Sequence, residues 1–166
     1  IMHVIQNLNT MSKFFVAIFL LTLPAFLMAQ EENWDVYMAR YKNKPGSITL
    51  NMALKSVAPV KTLPFVVITG VSFKNCNDDG LPGKREFASL YKISDSIKSI
   101  IDRLTTTNLT GSFTYMCQRL DYFYVSDTVG LRDQLAFFYR EKFPQYRPYY
   151  IDIKEDTLWT AYLDFL

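Results

Sequence analysis

The sequence predicts an α+β fold on three observations. Short segments alternate apolar and polar residues with period two, two longer stretches repeat their apolar residues every three or four positions, and strand-like and helix-like pieces interleave along the chain. After an N-terminal strand pair the order reads β-α-β-β-α-β and closes on a short helical tail.

The first strand is expected over residues 34–41. Residues 42–46 then read as a turn, in which Pro45 fixes one backbone angle and Gly46 supplies a positive one. Residues 47–54 alternate strictly, with Ile48, Leu50, Met52 and Leu54 on one side, so the two strands pair as a hairpin. Residues 65–73 are an almost unbroken β-branched and aromatic run, which predicts a central strand buried on both faces. A polar loop over 74–83 opens a helix whose apolar positions Phe87, Leu90, Ile93, Ile97, Ile100, Ile101 and Leu104 fall on one face. Strands near 109–117 and 120–125 follow. A helix over 129–142 comes next, with Asp127 as its N-cap and Pro144 closing it. A last strand, 149–154, leads into a tail carrying Leu158, Trp159, Tyr162, Leu163 and Phe165.

The inner six elements make the split β-α-β arrangement of ferredoxin-like folds. Right-handed crossovers then put the strand beginning at Phe65 inside the sheet and both helices on one face. The other face needs a cover, and three are expected: the N-terminal hairpin, the Trp159 tail, or a second copy of the chain as a homodimer.

Residues 1–29 read as a signal peptide rather than as part of the fold. Residue 1 is Ile, so translation is expected to start at Met2 or Met11, with Met11 favoured. Lys13 supplies a positive n-region, and the apolar run 14–28 is shorter than the roughly 20 residues that span a bilayer. The run ends in Ala29 before Glu31 and Glu32, so cleavage is expected after Ala29, with Leu27 an unusual residue at the minus-three position. Residues 30–166 remain as a single periplasmic or secreted domain with no transmembrane span.

That domain has 17 basic against 16 acidic side chains, because the removed segment holds one Lys and no acid. Such balance gives no field to attract nucleic acid, and the aromatic strand Arg119 to Val125 lacks the glycines of an RNA-stacking signature. The one histidine, His3, leaves with the signal. Histidine-dependent hydrolysis and histidine-ligated zinc are thereby excluded, and two cysteines cannot close a four-cysteine site.

Three local patterns remain. Asn75, Asn77, Asp79, Gly80 and Glu86 fall at positions one, three, five, six and twelve of a calcium loop, though Asn at the first position and Pro82 at the eighth weaken the match. The competing reading is a turn in which Asn and Asp bond their own backbone. Cys76 and Cys117 end two core strands at the same edge of the sheet with one strand between them, where an exported compartment permits a disulfide; the competing reading is two separate thiols, with Cys117 in the core. Tyr115, Tyr122 and Tyr124 line a sheet face that would suit an interaction surface. Asp78, Asp79 and Glu86 are the clustered carboxylates on which an alternative hydrolase or lyase reading would rest.

The chain also resembles the bacterial family called domain of unknown function 695. The residues that carry the resemblance are Trp34 with Tyr37, Gly80-Leu81-Pro82, Gly111 with Thr114, the strand Arg119 to Tyr124, Phe143-Pro144 with Tyr146, and Trp159 with Tyr162 and Leu163. That family is similar in turn to the regulator of ribonuclease activity B, a cytoplasmic inhibitor that works by binding a protein. The resemblance implies a non-catalytic module, with no catalytic residues and no cofactor to carry over. The expected partner is a protein or small ligand of the cell envelope.

Overall fold

Residues 32–166 are described by the computed structural model, and the expected signal segment lies outside them. Their strands are β1 (Trp34–Tyr41), β2 (Lys44–Asn51), β3 (Phe65–Ser72), β4 (Thr107–Tyr115), β5 (Gln118–Val125) and β6 (Tyr149–Glu155). The helices are α1 (Lys84–Leu104), α2 (Leu131–Lys142) and the short α3 (Thr160–Leu163). Six strands form one sheet in the order β1-β2-β4-β5-β3-β6, and every neighbouring pair runs antiparallel. No helix among the described residues is long and apolar enough to cross a membrane.

The first hairpin turn is tighter than the expected 42–46, and the second falls two residues earlier than expected, so that Met116 and Cys117 belong to the turn and not to the strand. Between β1 and β2 the chain reverses over Lys42 and Asn43, whose φ values are 45° and 66°. Two left-handed residues give a turn whose twist matches that of the flanking strands. Pro45 and Gly46 therefore lie within β2 rather than in the turn. The β4–β5 turn repeats the device at Met116 and Cys117, with φ of 46° and 60°. Strand β2 stops at Asn51, earlier than expected, because the Asn51 side chain accepts a hydrogen bond from Ala53 N at 3.2 Å and caps a 3-10 turn over Met52–Ser56. Asp127 does not cap α2. Its Oδ1 accepts from Thr128 N and Val129 N, and the helix begins after Gly130, which has a φ of 72°.

Helices α1 and α2 share one face of the sheet. Leu90, Ile93, Ile97 and Ile101 of α1 pack with Leu131, Leu135 and Tyr139 of α2 onto Val67, Val71, Phe123 and Val125. The predicted helical stripe is thus the buried face of α1, apart from Phe87 and Leu104 at its ends, which are exposed. On the opposite face the cover is the C-terminal tail, not the hairpin. Trp159 and Tyr162 pack with Ile48, Leu50, Leu54, Leu63, Val66 and Tyr124. The Trp159 indole stacks on Tyr124 with ring centroids 4.1 Å apart and donates from Nε1 to Leu63 O at 3.0 Å. Asp156 fastens the tail's start: Oδ1 accepts from Thr160 N, and Oδ2 accepts from Ala161 N and from the Tyr124 hydroxyl. The hairpin β1–β2 lies beside the core instead, extending the sheet through β2–β4 pairing.

Candidate functional site

That lateral placement creates the site. The sheet is six strands wide, but the helical layer does not reach across β1 and β2, so a cleft of about 330 Å³ opens between the flank of α1 and the hairpin. Its wall on α1 is Tyr91, Ser94, Asp95 and Lys98, spaced three and four residues apart so that they share one side of the helix. Its opposite wall is Glu32, Trp34 and Val36 at the start of β1, and its floor comes from Thr49, Leu109, Gly111, Ser112, Arg119 and Asp121.

Register explains the floor. Val36, Thr49, Ser112, Asp121, Thr69 and Ile151 form one row across the whole sheet, each residue paired to the next. Paired positions point to the same face, so this row faces the helices. Thr69, Asp121 and Ser112 are buried beneath them, Thr49 is half-buried, and Val36 is 60 % exposed. The cleft is the uncovered end of this polar row. Arg119 sits one pleat further along β5 on the same face, as a period-two spacing requires.

Arg119 and Asp121 are buried charges, and each has partners. Arg119 Nε lies 3.3 Å from Asp121 Oδ1, and Ser94 Oγ donates to Asp121 Oδ2 at 2.6 Å. The Arg119 guanidinium carbon stands 4.7 Å from the centroid of the Tyr91 ring, a cation–π contact. Burial raises the Asp121 carboxyl above its ordinary range; the Arg119 cation and the Ser94 hydrogen bond oppose that shift, and Asp95 adds to it. The guanidinium engages Asp121 through Nε, and its terminal nitrogens make no hydrogen bond among the described residues.

The residues singled out from the sequence lie elsewhere. In the 74–83 loop, Asn77 Oδ1 accepts from Asp79 N at 3.1 Å and Leu81 N at 2.9 Å, closing a turn within the loop. Asn75 turns its amide nitrogen to Glu86 Oε2 at 3.0 Å, and Glu86 itself is buried. No three His, Cys, Asp or Glu gather as a cation-binding group among the described residues. Asp78 and Asp79 are exposed beside a shallow depression of about 170 Å³, and Glu86 lines a different one, so these carboxylates do not converge.

Cys76 and Cys117 are joined in a disulfide, with Cα atoms 5.6 Å apart. The loop packs on the β4–β5 turn there. Cys117 N donates to Gly80 O at 2.8 Å, and a Cβ at Gly80, where φ is 80°, would come within 2.9 Å of Met116 Cα. Of the three tyrosines, Tyr124 is fully buried under Trp159, so it offers no surface. Tyr122 is half-buried edge-on to Phe165, and burial, followed by Tyr150, pushes its hydroxyl up to about 12. Tyr115 is half-buried against Tyr41 and Phe113.

The cleft residues escaped the sequence reading, although Arg119 and Asp121 carried a signal. Two opposite charges two apart on a predicted core strand must lie on one buried face, and there they need each other. The contribution of Trp34 carried none, since it depends on where the hairpin docks.

A family model described as a family of unknown function, DUF695, matches residues 32–166. No curated protein and no solved structure matches the chain.

Proposed function

Because the chain belongs to the DUF695 family, which lends no activity, we propose from its geometry that it is an exported, non-catalytic binding module that holds a small ligand in the cleft between α1 and the hairpin. One observation carries this: a buried arginine, fixed by Asp121 and Tyr91, forms part of the floor of a cavity of about 330 Å³ in which Trp34, Val36 and Leu109 stand beside polar and charged side chains. Pockets of this size, combining apolar surface with oriented polar groups, are the usual form of small-molecule sites. The binding behaviour implied by the resemblance to regulators of ribonuclease activity B agrees in class. The order β4-β5-β3-β6 with both long helices on one face supports a ferredoxin-like reading of the core.

The carboxylate hydrolase reading loses its support, because Asp78 and Asp79 do not meet Glu86 in one cleft. A calcium ion at the 74–83 loop would have to displace the two amide hydrogens that already occupy Asn77 Oδ1. The test is a small-molecule screen by amide-resolved NMR, run with and without a calcium chelator. Ligands whose shifts cluster at Tyr91, Ser94, Gly111 and Ser112 are expected. Shifts confined to the 74–83 loop, or none anywhere, would sink the proposal.

A further inference from the structure

The two edges of the sheet are finished differently. At β6, Arg132 Nη1 of α2 donates to Ile151 O at 2.9 Å, and Asp152, Lys154 and Glu155 add charge along the strand. Such devices keep an edge from pairing with another chain. Strand β1 pairs with β2 over eight residues with no bulge and no proline, and Trp34, Val36 and Met38 stand 37 %, 60 % and 57 % exposed on its helix side. Because Asn33 O takes Met52 N, the alternate positions Trp34, Val36, Met38 and Arg40 turn their N–H and C=O groups to the free edge. Val36 N donates to Asp35 Oδ1 at 2.8 Å, a cap supplied by an exposed side chain.

The strand also changes sign along its length. Glu32 and Asp35 lie at its start and Arg40 and Lys42 at its close, all exposed, and among the described residues none of the four is in an ion pair. Lys98, across the cleft from Glu32, is held by Asp102, and Lys44, after the turn, stands beside Asp78 and Asp79. An unpaired strand that is acidic at one end and basic at the other is complementary to itself reversed. We propose that β1 is the edge by which two copies of this chain join, antiparallel about a twofold axis at Tyr37, so that one sheet runs through both. In that register Val36 lies opposite the partner's Met38, Trp34 opposite the partner's Arg40, and Glu32 opposite the partner's Lys42. Apolar meets apolar, an indole meets a guanidinium, and acid meets base on the same face. Val36 N exchanges its Asp35 cap for the carbonyl of the partner's Met38. The pairing does not depend on whether the cleft holds a ligand.

Sedimentation equilibrium of the exported chain, disulfide intact, should show a mass that rises from one chain to two with concentration. Met38→Pro removes an N–H that only the partner uses, at an edge position where proline is tolerated, and should leave single chains. Arg40→Glu sets a carboxylate against the partner's acidic end and should weaken the dimer roughly tenfold or more; it decides alone if the proline unfolds the chain. Under mild oxidation, Val36→Cys chains mixed with Met38→Cys chains should link to each other faster than either links to itself. A parent that stays single at every concentration overturns the proposal, as does a dimer equally tight in Arg40→Glu. A mass that grows beyond two chains overturns it in favour of open-ended pairing of β1 with β6. Preferential self-linking of Met38→Cys would move the twofold axis to Met38 and overturn the register.

Discussion

At the scale of the residue, two carboxylates give opposite pH responses. Asp156 is partly buried, which alone would raise its carboxyl, but hydrogen bonds from Ala161 N, the Tyr124 hydroxyl and Thr160 N together hold it below the ordinary range. A lowered folded value means its contribution is complete above the unfolded value of about 4 and fades as pH falls through the folded one. Asp156→Ala should cost about 1–2 kcal/mol at neutral pH, the size of a lost helix cap. In urea titrations it should also remove part of the acid-side loss of stability seen in the parent. Asp121 runs the other way. Its carboxyl is raised by burial, so the charged form destabilises the fold, and stability is lost as pH rises through the folded value. Arg119→Met leaves that carboxylate buried without its cation. A loss of about 3–5 kcal/mol is expected, growing from acid to neutral pH in the same titrations. A flat pH dependence would show that Arg119 does not compensate Asp121. Both acids are plain in the sequence, but only tertiary packing separates a capping Asp from a buried one.

At the scale of the element, helices and strands were legible because their apolar periods are local. The buried face of α1 and the central β3 follow from spacing alone. Turns were less legible, since the left-handed positions fall on Lys42, Asn43, Met116 and Cys117 instead of glycine. Strict alternation through Leu54 also overran the true end of β2, where Asn51 competes for the backbone. The tail, α3 with its flanks, is the element whose role sequence left open among three covers. Its anchor is Trp159, fully buried and stacked on Tyr124. Trp159→Ala should cost about 3–5 kcal/mol in thermal or urea unfolding. Leu158→Ala, next to it but 70 % exposed, should stay within about 0.5 kcal/mol. Similar losses at the two positions would mean that the tail does not depend on its indole.

At the scale of the whole molecule, the expected β-α-β-β-α-β series and its flanking pieces are all present, but the cleft was out of reach. It exists because β2 pairs with β4, a contact between residues as far apart in sequence as Gly46 and Tyr115 that no local period announces. The Cys76–Cys117 bond closes a loop with a sequence separation of 41 residues, for which chain entropy gives roughly 4 kcal/mol of stabilisation. Reduction should lower the urea midpoint accordingly. An unchanged midpoint would mean that the loop and turn are held by their hydrogen bonds alone. The chain's two tryptophans sit on opposite faces of the sheet, Trp34 at the cleft and Trp159 beneath the tail. They make the molecule a natural pair of optical reporters. A quencher such as acrylamide reaches the half-open indole and not the sealed one, so a ligand that fills the cleft should darken only the quenchable fraction. Release of the tail should instead redden the emission of the other.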